Sequence, residues 1–414
     1  MTAASTTRVP APSGGGHPAL SRLLRLPVAD FARDHWGHRP LVSRADELPA
    51  SFADLFSIAA VDELVSQRGL RTPFLRVAKG GKTFGDRAFT DGGGIGAAVT
   101  DQVSDDKLLR LFADGATLVL QGLHRTWPAL TTFTQQLAAD LGHPVQANAY
   151  VTPAQNTGFS DHYDVHDVFV LQVSGEKRWR IHLPVREAPL RDDPWTDHET
   201  AVQAAAMAPP PLELTLRPGD CLYLPRGYLH AASALGGVST HLTLGIHPWT
   251  GRHVADEVLA EAVRRVSEDA AVRRSLPLGV DVSDPDDLRG HVEIVRAAIR
   301  EAVDALAPED LVAAFGRRSR RAQRAAPLSP VAQTEAAAHV TDLGSVTLRA
   351  HLSAELQDRD DGSWALVSRA ETVTLTSPEA DAVRQLLVEG GLAVAHLGTD
   401  LARRLLLAGV VVPD

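Results

Sequence analysis

Apolar residues recur at helical spacing early in the chain, in Leu20, Leu23 and Leu24, again in Leu108, Leu111 and Phe112, and over Leu130–Leu141, an amphipathic helix closed by Gly142. Between them, Phe74 to Val103 is punctuated by Gly80-Gly81 and Gly92-Gly93-Gly94, which predicts turns and loops, and Ala116–Gln121 reads as a buried strand. From Val145 to about His247 the period changes. Short apolar or alternating runs are broken at Thr152-Pro153, Ser174-Gly175, Pro218-Gly219-Asp220, Pro225-Arg226-Gly227 and Gly236-Gly237, which predicts an antiparallel sandwich or barrel. After Trp249 the helical period returns in Val254, Val258, Leu259, Val263 and Val266, and then in Leu288, Val292, Val295, Ile299, Val303 and Leu306. A basic run, Arg317-Arg318-Ser319-Arg320-Arg321, reads as a solvated helix end, with an RNA contact as the alternative, and Pro327 and Pro330 mark a linker. The last segment, 331–414, combines strand-like Val346–Leu352 and Trp364–Leu375 with two helices. One opens at Ser377-Pro378 and closes at Gly390-Gly391, and the other runs through Leu401, Leu405 and Leu406. No internal repeat is visible.

Length and composition narrow the class. At roughly 150 residues per domain, 414 residues predict two or three domains. The net charge of −10 argues against a nucleic-acid binder and suits a basic partner. A mean hydropathy of −0.07 is ordinary for a globular protein, and no run approaches the ~18 apolar residues of a membrane span. The Pro- and Gly-rich stretch within 1–19 has no apolar core like that of a signal peptide and reads as a disordered tail. The single cysteine, Cys221, excludes an internal disulfide and any multi-cysteine metal site, and reads as a small buried hydrophobe. The simplest setting is a reducing cytoplasm. Seventeen histidines leave imidazole-based metal chemistry open.

The chemistry gathers in the β region. In a strand, residues i and i+2 face the same way, so His162 and Asp164 would offer an imidazole and a carboxylate to one point. His230, 66 residues beyond Asp164, follows a strand and the Pro225-Arg226-Gly227 turn and could close the site. Two histidines and one carboxylate on one face of a metal leave the opposite positions open, as in the facial triad of non-haem Fe(II) oxygenases. Tripeptides of the form His-x-Asp are common, and most surface histidines are merely solvated. His166 shares the strand parity of His162 and Asp164 and reads as a polar residue at the pocket mouth or a substrate contact. His241 reads as a satisfied core histidine or a barrel-lining one. No Gly-x-Ser-x-Gly elbow supports nucleophilic Ser-His-Asp catalysis.

Further stretches carry a family resemblance: Gly115–Leu120 with Leu123-His124, Asn148–Pro153, Gly158-Phe159, His162-Tyr163-Asp164, Asp167–Gln172, Gly175–Arg180, Pro218-Gly219-Asp220, and Leu224–Gly227 with His230. Together they resemble the JmjC and cupin-like 2-oxoglutarate oxygenases, in particular the ribosomal oxygenase branch, closely over about 20–250 and more loosely beyond. The resemblance implies an α+β protein. A double-stranded β-helix (jelly-roll) oxygenase domain would cover 20–250, a helical dimerisation domain 251–326 and a winged-helix-like domain 331–414. It implies that His162, Asp164 and His230 ligate Fe(II), that Lys177 meets the distal carboxylate of the cosubstrate 2-oxoglutarate, and that Asn148 hydrogen-bonds the same molecule. Asn148 also fits an ordinary sheet or turn polar residue. The implied activity is hydroxylation of a protein side chain, arginine or histidine of a ribosomal protein, by a homodimer. Alternatives are hydroxylation of another peptide or biosynthetic precursor, and a cupin-like module that holds a metal without turnover. Residues 331–414 carry six arginines and no lysine against twelve Asp and Glu, so no DNA binding is expected of them.

Overall fold

The computed structural model describes Thr7–Arg8 and residues 16–414 apart from 155, 157–159, 323 and 360. The tail expected over 1–19 and the Gly158-Phe159 pair fall largely on residues outside that set. The chain divides into two compact units, 10–248 with 325–327, and 1–9 with 249–324 and 328–414.

The first unit is built on one antiparallel sheet. Its strands are β1 (Leu41–Ser43), β2 (Leu75–Lys79), β3 (Thr117–Leu120), β4 (Val145–Thr152), β5 (Asp167–His182), β6 (Leu212–Leu216), β7 (Cys221–Leu224) and β8 (Leu229–Ile246). They run in the order β1-β7-β5-β8-β4-β3-β2, with β6 added to β5 and the two-residue strand Lys82–Thr83 paired beyond β2. The two long strands make the fold. The first half of β5 pairs with β7 and its second half with β6, while β8 follows β5 along both halves and gives its own second half to β4. At the bend the register of β5 against β8 shifts between Leu235 and Thr240. Gly175 turns this corner with φ +64°, and a Cβ there would lie 2.2 Å from the Val238 carbonyl oxygen, so only glycine fits.

Alternation then separates core from cavity. Ala147, Ala149 and Val151 of β4 join Leu242, Leu244 and Ile246 of β8 in the main core, packed with Leu130, Phe133 and Leu137 of helix α1 (Pro128–Leu141). The residues between them, Asn148, Tyr150, Thr152, His241 and Thr243, belong to the opposite face of the sheet. As the pattern predicts, α1 stops at Gly142, which is left-handed at φ +70°.

In the second unit α2 (Gly251–Val266) and α3 (Pro285–Asp304) pack through Ala262, Val266 and Ala302, followed by α4 (Pro308–Ala322). Two small sheets follow. One joins β10 (Ala354–Asp358), β11 (Trp364–Ser368) and β12 (Thr372–Leu375), with Thr7–Arg8 paired to β10. The other joins β9 (Ser345–Leu348), β13 (Gly391–Ala393) and β14 (Val411–Pro413). Helix α5 (Ser377–Glu389) opens on the Thr376–Glu379 capping box and closes at left-handed Gly390. The stretch Trp364–Leu375 is two strands rather than one. The basic run is not wholly solvated: Arg320 is buried and pairs with buried Glu355 at 2.8 Å, a non-local partner that spacing could not reveal. Among the described residues no helix is long and apolar enough to cross a membrane.

Candidate functional site

A cavity of about 240 Å³ inside the sheet of the first unit is lined by Tyr150, His162, Asp164, Lys177, His230 and His241, with apolar wall from Val168, Val170 and Trp179. A larger open groove of about 920 Å³ on the second unit has no histidine among its described lining residues.

His162 and Asp164 do not stand in a strand, as their spacing suggested. They precede β5, and a single antiparallel bridge fixes them: His162 and His230 exchange backbone hydrogen bonds of 3.2 and 2.8 Å. One step on, the Gly227 N–H donates to the Asp164 carbonyl oxygen at 3.0 Å. The pairing brings the two imidazoles to 4.5 Å between ring centres and His230 Nε2 to 3.9 Å from an Asp164 carboxylate oxygen. As they stand, no three His, Cys, Asp or Glu side chains among the described residues are gathered tightly enough to hold an ion.

The donor chemistry nevertheless fits a metal. His162 Nδ1 lies 2.7 Å from the Ser160 carbonyl oxygen and His230 Nδ1 3.1 Å from that of Tyr228. A carbonyl can only accept, so Nδ1 carries the proton in both rings and the lone pair is left on Nε2, the usual outer-shell arrangement of metal-binding histidines. Burial, reinforced by His162, pushes His230 down to about 4 against the opposing pull of Asp164, so the ring is neutral. Burial raises the Asp164 carboxyl, but His166, His230 and His162 together outweigh it and the net shift is downward. The site thus combines a neutral His230 with an ionised carboxylate, protonation states that ligation requires.

Lys177 sits deeper, 3% exposed. Its ammonium donates to Thr152 Oγ1 at 3.2 Å and lies 3.4 Å from His241 Nδ1, and Thr152 is tied to Thr117 at 3.2 Å. Among the described residues no carboxylate stands within ion-pair distance of it. Burial alone pushes it down to about 7. A buried cation lined by hydroxyls and an imidazole is poised for an anion from outside the chain. The Thr152–Thr117 contact depends on cross-strand register, which spacing along the chain does not show.

His241 is a cavity-lining residue. Its ring stacks on Tyr150, with 5.0 Å between centres and planes 3° apart. Burial, then Lys177, holds it well below its ordinary value. Burial, then Asp164, pushes Tyr150 up to about 12, with Arg76 opposing. Asn148 lies on the same strand face as Tyr150, and its Oδ1 accepts the Gly122 N–H at 3.1 Å. His166 meets Gln146 at 3.5 Å and the His247 ring edge-on at 5.3 Å, and neither His166 nor Asn148 is among the lining residues. Cys221 is buried, with its thiol pushed up by burial, and takes no part.

Comparison with known proteins gives a consistent picture. Residues 125–254 match the JmjC domain. Ribosomal oxygenase 1 of Gallus gallus is 31% identical over 326 residues, covering 71% of this chain and 52% of its own. Ribosomal oxygenase 2 of Rattus norvegicus is 28% identical over 278 residues, covering 64% and 55%. The chain therefore spans about half the length of these curated relatives. Among solved structures, YcfD, a ribosomal oxygenase from Escherichia coli, matches with a TM-score of 0.53 over 94% of this chain and 98% of that one, at 18% identity. The same protein in complex with cobalt and 2-oxoglutarate gives 0.51 at 17% identity. The shared fold is an α+β arrangement with a JmjC/cupin β-sheet core, a helical region and small C-terminal sheets.

Proposed function

The chain belongs to the JmjC-domain proteins and is homologous to the ribosomal oxygenases over most of its length, and from that premise we propose that it is an Fe(II)- and 2-oxoglutarate-dependent oxygenase that hydroxylates a protein side chain. The observation that carries the reading is the joint presence, in one cavity, of two Nε2-presenting histidines, an ionised Asp164 and a buried ammonium that meets no carboxylate among the described residues. Fe(II) with 2-oxoglutarate and O₂ supplies the oxidising power for C–H hydroxylation when bound. His162, Asp164 and His230 would hold the metal, and the carbonyls of Ser160 and Tyr228 keep the two imidazoles oriented. Lys177, steadied by Thr152 and His241, would hold the far carboxylate of 2-oxoglutarate. Asn148, on the same strand face as Tyr150 but outside the cavity lining, would reach the cosubstrate only through its amide nitrogen, because its Oδ1 accepts the Gly122 N–H. Val168, Val170 and Trp179 keep water from the reacting centre.

In the same reading the core is a double-stranded β-helix, helices within 251–326 join two copies, and residues 331–414 form a winged-helix-like module. The substrate is an arginine or histidine of a ribosomal protein met in the cytoplasm. The net charge of −10 favours a basic partner. Asp164→Ala tests the assignment. It should abolish most Fe(II) binding and all 2-oxoglutarate-dependent succinate formation while the protein stays folded by circular dichroism. Normal succinate formation by the variant would show the metal assignment to be wrong.

A further inference from the structure

One charged group in the cavity has no place in this scheme. Arg76, on β2, lines the cavity, forms no ion pair or side-chain hydrogen bond among the described residues, and keeps its Nε buried without a partner. Register explains how it comes there. Arg76 pairs with Val119 on β3, Val119 with Tyr150 on β4, and Tyr150 with His241 on β8, so all four lie in one cross-strand row. Its neighbours Leu75 and Val77 go to the core, so the alternation of β2 sends Arg76 to the cavity side. In sequence, Leu75-Arg76-Val77 looks like any half-buried strand with its polar residue in water, which is why nothing singled it out.

The charge count inside the cavity gives Arg76 its meaning. Asp164 is the only carboxylate among the described lining residues, and Asp161, beside His162 in the chain, is ion-paired with Arg180 at 3.1 Å. With Fe(II) and Lys177 set against Asp164 and the two carboxylates of 2-oxoglutarate, one positive charge remains, and it is that of Arg76. A guanidinium cannot discharge it by losing a proton. We infer that Arg76 is the specificity-determining residue of the substrate side: it donates to a main-chain carbonyl oxygen of the substrate peptide and excludes a cationic side chain from the cavity. An arginine or lysine entering would meet a like charge and no free carboxylate, whereas an uncharged hydrogen-bonding side chain meets neither penalty. The inference rests on the oxygenase reading and narrows it from arginine or histidine to uncharged target residues.

The test uses the full chain loaded with Mn(II) and 2-oxoglutarate, which supports binding without turnover. The probes are short capped peptides, identical except for a central His, Asn, Arg or Lys, titrated at pH 8 and read by the fluorescence of cavity residues Trp179 and Trp195. Binding of 2-oxoglutarate is measured first, by calorimetry. Its absence in the wild-type protein would overturn the oxygenase reading and this inference together. With 2-oxoglutarate bound, the His and Asn peptides should bind at least about tenfold more tightly than the Arg and Lys peptides, the scale of one like-charge contact in a partly desolvated site. Arg76→Gln should level the series and Arg76→Glu reverse it, with the 2-oxoglutarate affinity of both within about twofold of wild type because Lys177 and the metal hold that ligand. If Arg76→Glu fails to fold, the near-isosteric Arg76→Gln decides alone. A flat wild-type series, absence of peptide binding included, or a preference for Arg or Lys would overturn the inference while leaving the oxygenase reading in place. So would a large loss of 2-oxoglutarate affinity in Arg76→Gln, which would assign Arg76 to the cosubstrate.

Discussion

Lys177 has the ordinary lysine value of 10.5 in the unfolded chain and is held at about 7 by burial in the fold. Between those values the unfolded chain binds one proton more than the folded one, so this group's contribution to stability rises with pH, by at most ~1.4 kcal/mol per pH unit. Below about pH 7 both states are protonated and the penalty of burying the ammonium is fully present. A carboxylate arriving beside Lys177 reverses the balance, because it favours the charged form. Binding of 2-oxoglutarate at pH 8.5 should therefore take up close to one proton, seen in calorimetry as a dependence of the binding heat on the buffer's ionisation enthalpy. Lys177→Met should abolish the uptake and weaken 2-oxoglutarate roughly ten- to a hundredfold, the cost of one charge-assisted hydrogen bond. An unchanged proton balance would mean that another group meets the carboxylate. At this scale the spacing of His162, Asp164 and His230, and the family resemblance for Lys177, pointed to four residues that line one cavity. The contact of Thr152 with Lys177 and the cavity position of Arg76 come from neighbours on other strands, which spacing does not show.

The turn between β7 and β8 shows how an element positions a side chain. Asp167, 1% exposed, accepts the Arg226 N–H at 3.0 Å and the Tyr223 hydroxyl at 2.9 Å, which fixes the Pro225-Arg226-Gly227 corner. Gly227 has φ +90°, and a Cβ there would fall 2.5 Å from the Arg186 carbonyl oxygen. Its N–H holds the Asp164 backbone, and three residues later comes His230. Gly227→Ala must therefore move the turn, which should cost about 2 kcal/mol or more in urea denaturation and weaken Fe(II) binding as well. Gly236, at φ +73° with nothing near its Cβ position, is the control: Gly236→Ala should cost about 1 kcal/mol and leave Fe(II) affinity alone. Equal metal affinity in both variants would detach the turn from the site. The sequence marked this turn and the strands around it because glycine, proline and alternation are local signals. It misplaced His162 and Asp164, which share a face with His230 through one bridge formed across 68 residues, and pairing over that distance leaves no trace in periodicity. Buried Arg320 escaped notice for the same reason, since its partner Glu355 lies in another element.

Over the whole chain, surface left uncovered by the described residues bears on assembly. Helix α3 meets α2 through Ala302, Ile299 and Val303, while Val292 and Val295 on the preceding turns are 44% and 36% exposed beside Ile294 at 51%. Isolated exposed apolar residues need no explanation, but neighbours one turn apart on a long helix form a patch that self-association would bury. In the homodimer reading this patch is part of the contact between copies. Val292→Glu with Val295→Glu should then convert the protein from a species of twice 44.3 kDa to one of 44.3 kDa in light scattering at micromolar concentration. The four valines lost from two copies, at roughly 1.5 kcal/mol each, would weaken a dimer by about four orders of magnitude, and the added carboxylates would be desolvated against one another. Because the substitutions lie outside the unit that holds the cavity, 2-oxoglutarate binding should be unchanged. A wild-type protein that is monomeric under these conditions would remove the dimer, and a variant that stays dimeric would move the contact to another face.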